Sequence, residues 1–427
     1  MRSNAPSLER AHDVRRTPIR RTLIRRTPIA SRASASRSPR VPHTPPPMPP
    51  VVILDLDGTV INTEQLVDEV VSAVVAEIAP EIPPARVHDE LEKVRGRRPL
   101  EASRALALAL ALPVDGDELL RRTSPLLNAR WHEVRLMPGA RRLIDHLERR
   151  GVRFGLATST PGEYLVRKMA AHEDVMEKMA CVVTGCMVSR GKPDPEIFDL
   201  ARVELAQAES RECVVIEDTP VGCEAASKAG MRAIAVPSIR DRKCFEPWSE
   251  EVLHSLYDLE LEKFGLPAFD DWLSLNDGSN DRVLPVPPVV MRGPVVKGFG
   301  RGSKMLGIPT ANLDIVPLKS QVDSLAPGIY LGFATVRGQT HEMVMSIGWN
   351  PYFDNAKKTI EPWLLHEFEN DFYGEELALV CCGYIRPEAD FTTLEALVER
   401  IHRDAQVARV MLKTDPFSAT RELVVAA

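Results

Sequence analysis

The stretch VVILDLDGTVINTE, Val51–Glu64, decides the fold of the first half of the chain. Its apolar run, Val51–Leu54, predicts a fully buried strand of a parallel sheet. Asp55 and Asp57 follow, and residues two apart on an extended backbone face the same way, so their carboxylates converge. Gly58 lets the chain leave the strand sharply. Paired carboxylates at this end of a strand suit a divalent cation and phosphoryl chemistry. The alternative is an ordinary strand end with solvated acids.

Composition limits the classes of function. The chain has 427 residues, of which 44% are hydrophobic and 27% charged, enough for two or three globular domains. Its net charge of −6 gives no case for nucleic acid as the main partner. No apolar run approaches the roughly 18 residues of a membrane span, so we expect no membrane partner. The seven cysteines form no C-x-x-C pair, which predicts mostly buried thiols in a reducing compartment.

Residues 1–50 differ from the rest because Arg, Ser and Pro dominate and acids are absent after Asp13. A short unit recurs as RRTPI, RRTLI and RRTPI over Arg15–Ile29. Such a segment predicts a disordered extension. It is an organelle transit peptide, an RNA- or anion-binding tail, or an extension with no role. Localisation is therefore predicted as cytoplasmic, or as plastid or mitochondrial if the segment is a transit peptide.

The pattern of the sequence predicts an α/β domain over residues 51–245. Helical periodicity over about residues 65–136 indicates a helical cap inserted after the first strand. From Pro138 to Val236, helices and short strands alternate, which predicts a Rossmann-like parallel sheet with helices on both faces.

Polar side chains follow the predicted strands where ligands bind in such sheets. Thr158 follows one strand, Glu217 and Asp218 follow another, and Lys192 lies on a loop that reaches the same edge. These side chains offer carboxylates for a metal, a hydroxyl for phosphate and a lysine for additional negative charge.

The polar residues belong to motifs that together resemble the haloacid dehalogenase superfamily of phosphotransferases. The motifs are DLDGT at Asp55–Thr59, ATST at Ala157–Thr160, GKPDP at Gly191–Pro195, and ED at Glu217 and Asp218. The resemblance implies that a mobile cap excludes water and reads the leaving group. One departure is that Thr158, Ser159 and Thr160 stand where Ser, Asn and Ser are expected, which puts the substrate preference in doubt.

The same resemblance implies the role of each site residue. Asp55 is the nucleophile that attacks phosphorus, and Asp57 is the acid/base. Thr158 and Lys192 bind the phosphoryl group. Asp55, Asp218 and the Asp57 main chain hold Mg²⁺, and Glu217 lies behind them.

The second half begins after a predicted linker, residues 246–290, with a helix near Tyr257–Phe264. Its strongest stretch is GFGRGSKMLGIPTANL, Gly298–Leu313. The glycines allow successive N–H groups to cradle phosphates, and oxygen ligands near the end of the stretch suit Mg²⁺. The alternative is a hairpin of a β-barrel without a ligand. The candidate ligands here are Gly298, Gly300, Lys304, Thr310 and Asn312.

Further strands are predicted at Gly328–Val336, His341–Ile347 and Leu377–Tyr384, with Thr359–Leu377 out of strand register. A helix follows over Thr392–Leu412, where Thr392 and Glu395 form a capping box. Residues 416–427 are predicted as a C-terminal tail.

Six blocks of residues 291–415 resemble riboflavin kinase: GFGRGSK, GIPTANL, SIGWNPYF, EPWLLHEF, DFYGEEL and GYIRPE. The resemblance implies a six-stranded antiparallel barrel with a C-terminal helix, which transfers the ATP γ-phosphate to the 5′-hydroxyl of riboflavin. Glu361 is then the base, although its spacing alone favours a surface salt-bridge partner.

The resemblance also implies the binding residues of this domain. Thr310 and Asn312 bind Mg²⁺ and, with Gly298, Gly300 and Lys304, the nucleotide. Arg386 and Asp390 contact the flavin, and Asp390 departs from an expected Asn.

The order of the two domains resembles the plant-type bifunctional riboflavin kinase/FMN hydrolases. That resemblance implies riboflavin, FMN and ATP/ADP as partners and Mg²⁺ at both sites. Two alternatives remain: the phosphatase half acts on another small phosphomonoester, or it is a catalytically silent module.

Overall fold

The computed structural model describes residues 49–207, 209–237, 241–297, 308–349 and 358–425, which lie in one compact unit, Met48–Ala427. Nearly all of the predicted N-terminal extension falls outside these ranges. Within them, no helix has the length and apolar character needed to cross a membrane. All seven cysteines are free thiols, and four of them are buried.

The first sheet is parallel, with the order β3-β2-β1-β4-β5-β6. Its central strand is fully buried, and Leu54 pairs with Leu156 on one side and with Ile216 on the other. The predicted α/β fold class is confirmed. The strands are β1 (Val51–Leu54), β2 (Phe154–Thr158), β3 (Val182–Thr184), β4 (Cys213–Glu217), β5 (Arg232–Ala235) and β6 (Glu251–Val252).

Helices cover both faces of this sheet, which explains the continuous apolar run. Val52 and Leu54 pack into one core cluster, and Val51 and Ile53 pack into another on the opposite face. Alternate side chains of a strand point to opposite faces, so a strand covered on both sides needs apolar residues throughout. The flanking helices are α5 (Ala140–Arg149), α6 (Gly162–Lys168), α7 (Glu173–Met176), α8 (Glu196–Glu204) and α9 (Pro220–Lys228).

A helical cap stands between β1 and α5, where the sequence predicted an insertion. It has a core cluster of its own, to which Val71, Val74 and Val75 contribute from the predicted apolar stripe. The cap helices are α1 (Glu64–Ile78), α2 (Pro84–Val94), α3 (Pro99–Ala109) and α4 (Gly116–Arg130).

A histidine joins two cap helices and makes cap stability depend on pH. His88 Nδ1 lies 2.9 Å from Asp68 Oδ2, and Nε2 lies 3.4 Å from Glu92 Oε1. Hydrogen bonds to Asp68 and then to Glu92 raise the pKa of His88 to about 9. The histidine of the unfolded chain has a pKa of about 6.5, so the stabilisation is complete below that pH and is lost as the pH rises through 9.

His88→Gln is therefore expected to lower the free energy of unfolding at about pH 6 and to leave it unchanged above about pH 9.5. The expected loss is about 1 kcal/mol, because the half-exposed ring is screened by solvent. Urea denaturation at both pH values measures the difference, with exposed His132→Gln as the control. An equal loss at both pH values would contradict this account.

The segment predicted as a helix and a linker is a packed connection. In place of one helix near Tyr257–Phe264, two short 3₁₀ turns form, Leu256–Asp258 and Leu261–Phe264. The helix prediction is wrong because neighbouring side chains enter different cores: Leu256 packs under the parallel sheet, and Tyr257 packs into the second half.

The second half is an antiparallel sheet with the order β12-β11-β10-β13-β8-β7. The predicted antiparallel fold of this half is confirmed. β9 pairs with β8, and the N–H of Ala311 donates to Pro362 O of β12 at 2.8 Å, which brings the two sides of the sheet together. Within the described residues the sheet has seven strands, where six were predicted. They are β7 (Leu273–Ser274), β8 (Arg282–Val296), β9 (Asn312–Leu313), β10 (Gly328–Val336), β11 (Gln339–Trp349), β12 (Lys358–Leu364) and β13 (Glu376–Arg386).

Strands inside the predicted linker, and β12, correct the sequence interpretation. β6 and β7 lie within the segment predicted as a linker, and β8 begins there, at Arg282. β12 occupies the first part of Thr359–Leu377, which was predicted to be out of strand register. Pro362 obscured this strand, yet β12 ends the hydrogen-bonded order of the sheet, where a residue without an N–H is tolerated.

The C-terminal residues pack on the sheet. The remaining helices are α10 (Lys319–Asp323), α11 (Leu394–Met411) and α12 (Glu422–Val425). Thr393 caps α11 by accepting from the N–H of Ala396 at 3.2 Å, so the predicted capping box of Thr392 and Glu395 is wrong by one residue. Phe417 and Val424, predicted to lie in a tail, are buried beside α11 because they complete its apolar core.

The two halves touch through polar contacts. The Nζ atom of Lys319 on α10 donates to Glu69 of cap helix α1 at 2.7 Å. The Tyr384 hydroxyl on β13 donates to Asp258 in the connecting segment at 2.6 Å. The cap therefore contacts the second half as well as the parallel sheet.

Candidate active sites

The first site lies at the carboxyl edge of the parallel sheet. Asp55 leaves β1 with its N–H bonded to Ile216 O of β4 at 3.0 Å, and Asp218 follows β4. Gly58 has a φ of +85°, and a Cβ there would lie 2.0 Å from Asp218 Oδ2. The glycine therefore allows the loop after β1 to approach Asp218 closely.

Lys192 bridges two strands at this edge. Its Nζ donates to Asp55 Oδ1 at 2.5 Å, to Glu217 Oε1 at 2.6 Å and to Ala157 O at 3.2 Å. The other oxygen of Glu217 accepts from the N–H of Asp218 and from the N–H and hydroxyl of Thr219, each at 2.9 Å. Glu217 thus holds the Lys192 ammonium with one carboxylate oxygen and the backbone at Asp218 and Thr219 with the other.

Burial and Lys192 shift the pKa of Asp55 in opposite directions. Burial raises the pKa of Asp55 to about 7, Lys192 opposes that rise, and Glu217 and Asp57 add to it. Burial also disfavours the charged form of Lys192, but Asp55 and then Glu217 hold the pKa of its ammonium above the usual range. Positive charge at this edge therefore favours an ionised Asp55.

Asp57 is held by three donors. The Thr63 hydroxyl lies 2.7 Å from Oδ1, the Thr160 hydroxyl 2.6 Å from Oδ2, and Lys168 Nζ 2.6 Å from Oδ1. Burial alone would raise the pKa of Asp57, but Lys168 and the hydroxyl donors lower it below its ordinary value.

The sequence analysis missed Lys168. It is buried at the end of α6 and lies three residues after the buried Leu165. The sequence signal that could have identified Lys168 is a lysine at a position in the apolar stripe of a helix.

The ATST motif, Ala157–Thr160, has contacts within the sheet domain and with the cap. The buried Thr158 hydroxyl accepts from the N–H of Thr160 at 3.1 Å. Ser159, at the position where Asn was expected, donates to Gly96 O of the cap segment at 2.7 Å. The departure from the family pattern therefore lies at the boundary between sheet and cap.

A cavity of about 190 Å³ opens above these residues, between the sheet edge and the cap. Its floor carries Asp55, Asp57, Thr158, Lys168 and Asp218, and its upper walls are mainly apolar. The apolar lining comprises Val67, Val71, Leu91, Val94, Leu106, Leu119, Leu120, Leu127 and Trp131.

The donor set suits a hard cation that keeps some of its water. Among the described residues, no group of three or more His, Cys, Asp or Glu side chains is placed to hold a metal. The site implied by the resemblance would instead use the carboxylates of Asp55 and Asp218 with the Asp57 carbonyl. Mg²⁺ binds in this way, with one or two carboxylates and several waters, so the residues present fit the ion.

The second site is centred on Glu361 of β12, which pairs with Ser346 of β11. Burial raises the pKa of Glu361, and a hydrogen bond from Thr359 opposes that rise. Thr310 and Asn312 flank Ala311, which bonds to β12 at Pro362. The structure therefore places the segment of Thr310 and Asn312 beside β12, which carries Glu361. Gly298, Gly300 and Lys304 lie outside the described residues.

Arg386, the last residue of β13, also has a structural contact. Arg386 donates to Asp404 of α11, with contacts of 2.7–3.2 Å, and so anchors that helix. Asp390 is exposed. Burial raises the pKa of Glu388 to about 7, with Arg386 opposing and Glu361 adding to the rise. The sequence analysis missed Glu388 as an electrostatic neighbour of Glu361.

Comparisons with known proteins match both halves. The model of haloacid dehalogenase-like hydrolases matches residues 52–236, and that of riboflavin kinases matches residues 286–412. The bifunctional riboflavin kinase/FMN phosphatase of Arabidopsis thaliana is 42% identical over 365 residues, which are 84% of this chain and 92% of that protein. The chain belongs to this bifunctional family. Both predicted domain families are confirmed.

Other similar proteins each match one part of the chain. Riboflavin kinase of Homo sapiens is 48% identical over 127 residues, covering 30% of this chain and 82% of that protein. The crystal structure of CbbY from Rhodobacter sphaeroides in complex with phosphate is 24% identical, with a TM-score of 0.42, and covers 50% of this chain and 96% of that one.

Proposed function

We propose that the chain makes FMN at one site and hydrolyses it at the other. The C-terminal domain transfers the ATP γ-phosphate to riboflavin, and the N-terminal domain releases phosphate from FMN. The observation that carries the second activity is the mainly apolar cavity directly above Asp55, Asp57 and Asp218. A flat, largely apolar flavin ring is the group such walls would take, with its phosphate on the charged floor.

In the proposed hydrolysis, a carboxylate oxygen of Asp55 attacks phosphorus. The bond from phosphorus to the ribityl oxygen breaks, and Asp57 gives that oxygen its proton. Asp57 then takes a proton from water, whose oxygen attacks phosphorus and breaks the bond to Asp55. Thr158 and Lys192 bind the phosphoryl oxygens, and Mg²⁺ held by Asp55, Asp57 and Asp218 would neutralise their charge.

In the proposed kinase reaction, Glu361 accepts the proton of the riboflavin 5′-hydroxyl as its oxygen attacks the γ-phosphorus. Thr310 and Asn312 would hold Mg²⁺, which would neutralise phosphate charge. Gly298, Gly300 and Lys304 would bind ATP, and the loop of Arg386 and Asp390 would contact the flavin. Phosphoryl transfer requires mainly positioning and charge neutralisation, which such a set supplies.

The test for the phosphatase substrate uses the full chain carrying Glu361→Ala, without ATP, so that FMN is not remade. Phosphate release from FMN is compared with release from sugar phosphates and phosphoglycolate. A higher kcat/KM for FMN supports the proposal. Preference for a small sugar phosphate would favour the alternative substrate, and no turnover of any ester would favour a silent module. The buried contact from Lys192 to Asp55 argues against a silent module.

Gly222→Ala tests how Glu217 supports the hydrolytic site. A Cβ at Gly222 would lie 1.8 Å from Glu217 Oε1, so the carboxylate that bonds to Lys192 must move. We expect about 1–3 kcal/mol of destabilisation and a large loss of phosphate release, with riboflavin phosphorylation retained. Gly293→Ala, at a position that has no positive φ and where a Cβ meets no atom within 4 Å, is the control. Wild-type hydrolysis by Gly222→Ala would contradict the role of Glu217.

The proposed organisation places the hydrolase in residues 51–245 and the kinase in residues 291–415. β6 extends the parallel sheet to Val252, and β8 extends the kinase sheet back to Arg282. Residues 1–50 would act as an organelle transit segment. Fusion of that segment to a fluorescent reporter tests this: import into plastids or mitochondria supports it, and a cytoplasmic reporter contradicts it.

A further inference from the structure

Lys168 is a buried charge that the proposed reaction does not use. Its side chain is 9% exposed, and its Nζ donates to Asp57 Oδ1 at 2.6 Å and to the Thr160 hydroxyl at 2.9 Å. The same Nζ lies 4.8 Å from the centre of the Trp131 ring, at the end of the cap. One ammonium thus contacts the predicted acid/base, the second phosphatase motif and the cap.

Each of the first two carboxylates on the cavity floor is paired with a buried lysine. Lys192 contacts Asp55, the proposed nucleophile, and Lys168 contacts Asp57. A buried ammonium is costly unless it is paired and hydrogen-bonded, and Lys168 is both. Asp57, Lys168 and Trp131 all line the cavity in which the proposed substrate would bind.

Lys168 and the two hydroxyls also restrict the orientation of Asp57. Thr160 bonds to Oδ2, while Thr63 and Lys168 bond to Oδ1, so both carboxylate oxygens are held. A carboxylate that both gives and takes protons must stay within hydrogen-bond reach of the leaving oxygen and of water. A carboxylate that is already fixed before the reaction loses less conformational freedom on reaching the transition state.

We propose that Lys168 is a positioning residue of the hydrolytic site, which fixes Asp57 against the leaving-group side of the cavity and links its position to the cap through Trp131. This inference rests on the proposed hydrolysis. Two other roles give different kinetics: direct binding of the substrate phosphate, or a contribution to folding alone.

The experiment compares Lys168→Met and Lys168→Arg in the full chain on FMN and on 4-nitrophenyl phosphate. For the nitrophenyl ester, kcat/KM reports formation of the aspartyl phosphate, in which nitrophenolate leaves without needing a proton. The FMN ribityl oxygen needs one. Lys178→Met, which removes surface ion pairs to Asp145 and Glu148, is the control.

For Lys168→Met we expect kcat/KM on FMN to fall about 10²-fold through kcat, with a much smaller fall on the nitrophenyl ester. Lys168→Arg keeps the charge and donors and should restore part of the FMN activity. Riboflavin phosphorylation by the same variants, together with their melting temperatures, shows whether the chain is folded.

Equal losses on both esters with a raised KM would overturn the proposal in favour of phosphate binding. Equal losses with a lower melting temperature would overturn it in favour of a folding role, and unchanged kinetics would leave Lys168 without a role. If the wild-type chain ignores FMN yet cleaves another alkyl phosphate, the proposed substrate fails. The comparison is then made with that alkyl ester, and it still decides the role of Lys168.

Discussion

Asp55→Asn is expected to abolish phosphate release from FMN while riboflavin phosphorylation continues at its wild-type rate. The amide keeps the shape of the side chain but has no anionic oxygen to attack phosphorus, so no aspartyl phosphate forms. Loss of a covalent nucleophile typically costs at least about 10³-fold in kcat. The measurement is phosphate release from FMN by the purified full chain without ATP.

The control is Asp89→Asn, which removes an exposed carboxylate from the cap and should change neither activity. The Asp55 variant must also keep its kinase rate, because Asp55 lies in the parallel-sheet half and Glu361 lies on β12. Residual hydrolysis near the wild-type rate would assign the nucleophile to another residue. Loss of both activities would indicate a folding defect.

Glu361→Ala is expected to stop FMN synthesis and to leave FMN hydrolysis unchanged. The side chain is half-buried on β12, beside the strand that carries Asn312, and burial raises the pKa of its carboxyl. Removing a general base typically costs about 10²–10⁴-fold in rate. The assay measures FMN formation in an Asp55→Asn background, where FMN is not hydrolysed.

Glu376→Gln is the matched control, since Glu376 is an exposed glutamate of the same sheet, paired with Arg292. Glu361→Gln adds information because it keeps the size and the hydrogen-bonding oxygen but cannot accept the proton. If Glu361→Gln and wild type make FMN at the same rate, Glu361 only orients the hydroxyl or has no part in the reaction.

The sequence indicated which side chains meet at the edge of the parallel sheet, because these residues lie where strands end. The apolar run of β1 predicted burial on both faces, and the sheet places Asp55 and Asp218 on neighbouring strands. Lys192 also reaches this edge of the sheet, as predicted from the loop on which it lies. In such a sheet, the position along the chain alone determines which residues meet.

Contacts between distant segments were not predictable in this way. Lys168 bonds to Asp57 across 111 residues, and only its place in a buried helix stripe indicated burial. β12 was obscured by Pro362, and Phe417 was assigned to a tail because its partners lie on strands far back in the chain. Local patterns carry periodicity and turn chemistry, but they do not carry the pairing of remote side chains.

The connection between the halves illustrates the same limit. Residues with linker composition fold into turns because Leu256 and Tyr257 enter two different cores. The cap helix that carries Glu69 then meets Lys319 of the kinase half. Neither contact follows from composition, which predicted only that a boundary lay there.

The most direct test of two opposed activities in one chain is the amount of ADP formed per riboflavin supplied. Purified protein is incubated with limiting riboflavin, excess ATP and Mg²⁺, and ADP is followed after riboflavin has been consumed. The wild-type chain should exceed one ADP per riboflavin, because hydrolysed FMN is phosphorylated again, whereas Asp55→Asn should stop at one. A wild-type chain that also stops at one ADP would contradict FMN hydrolysis by this protein.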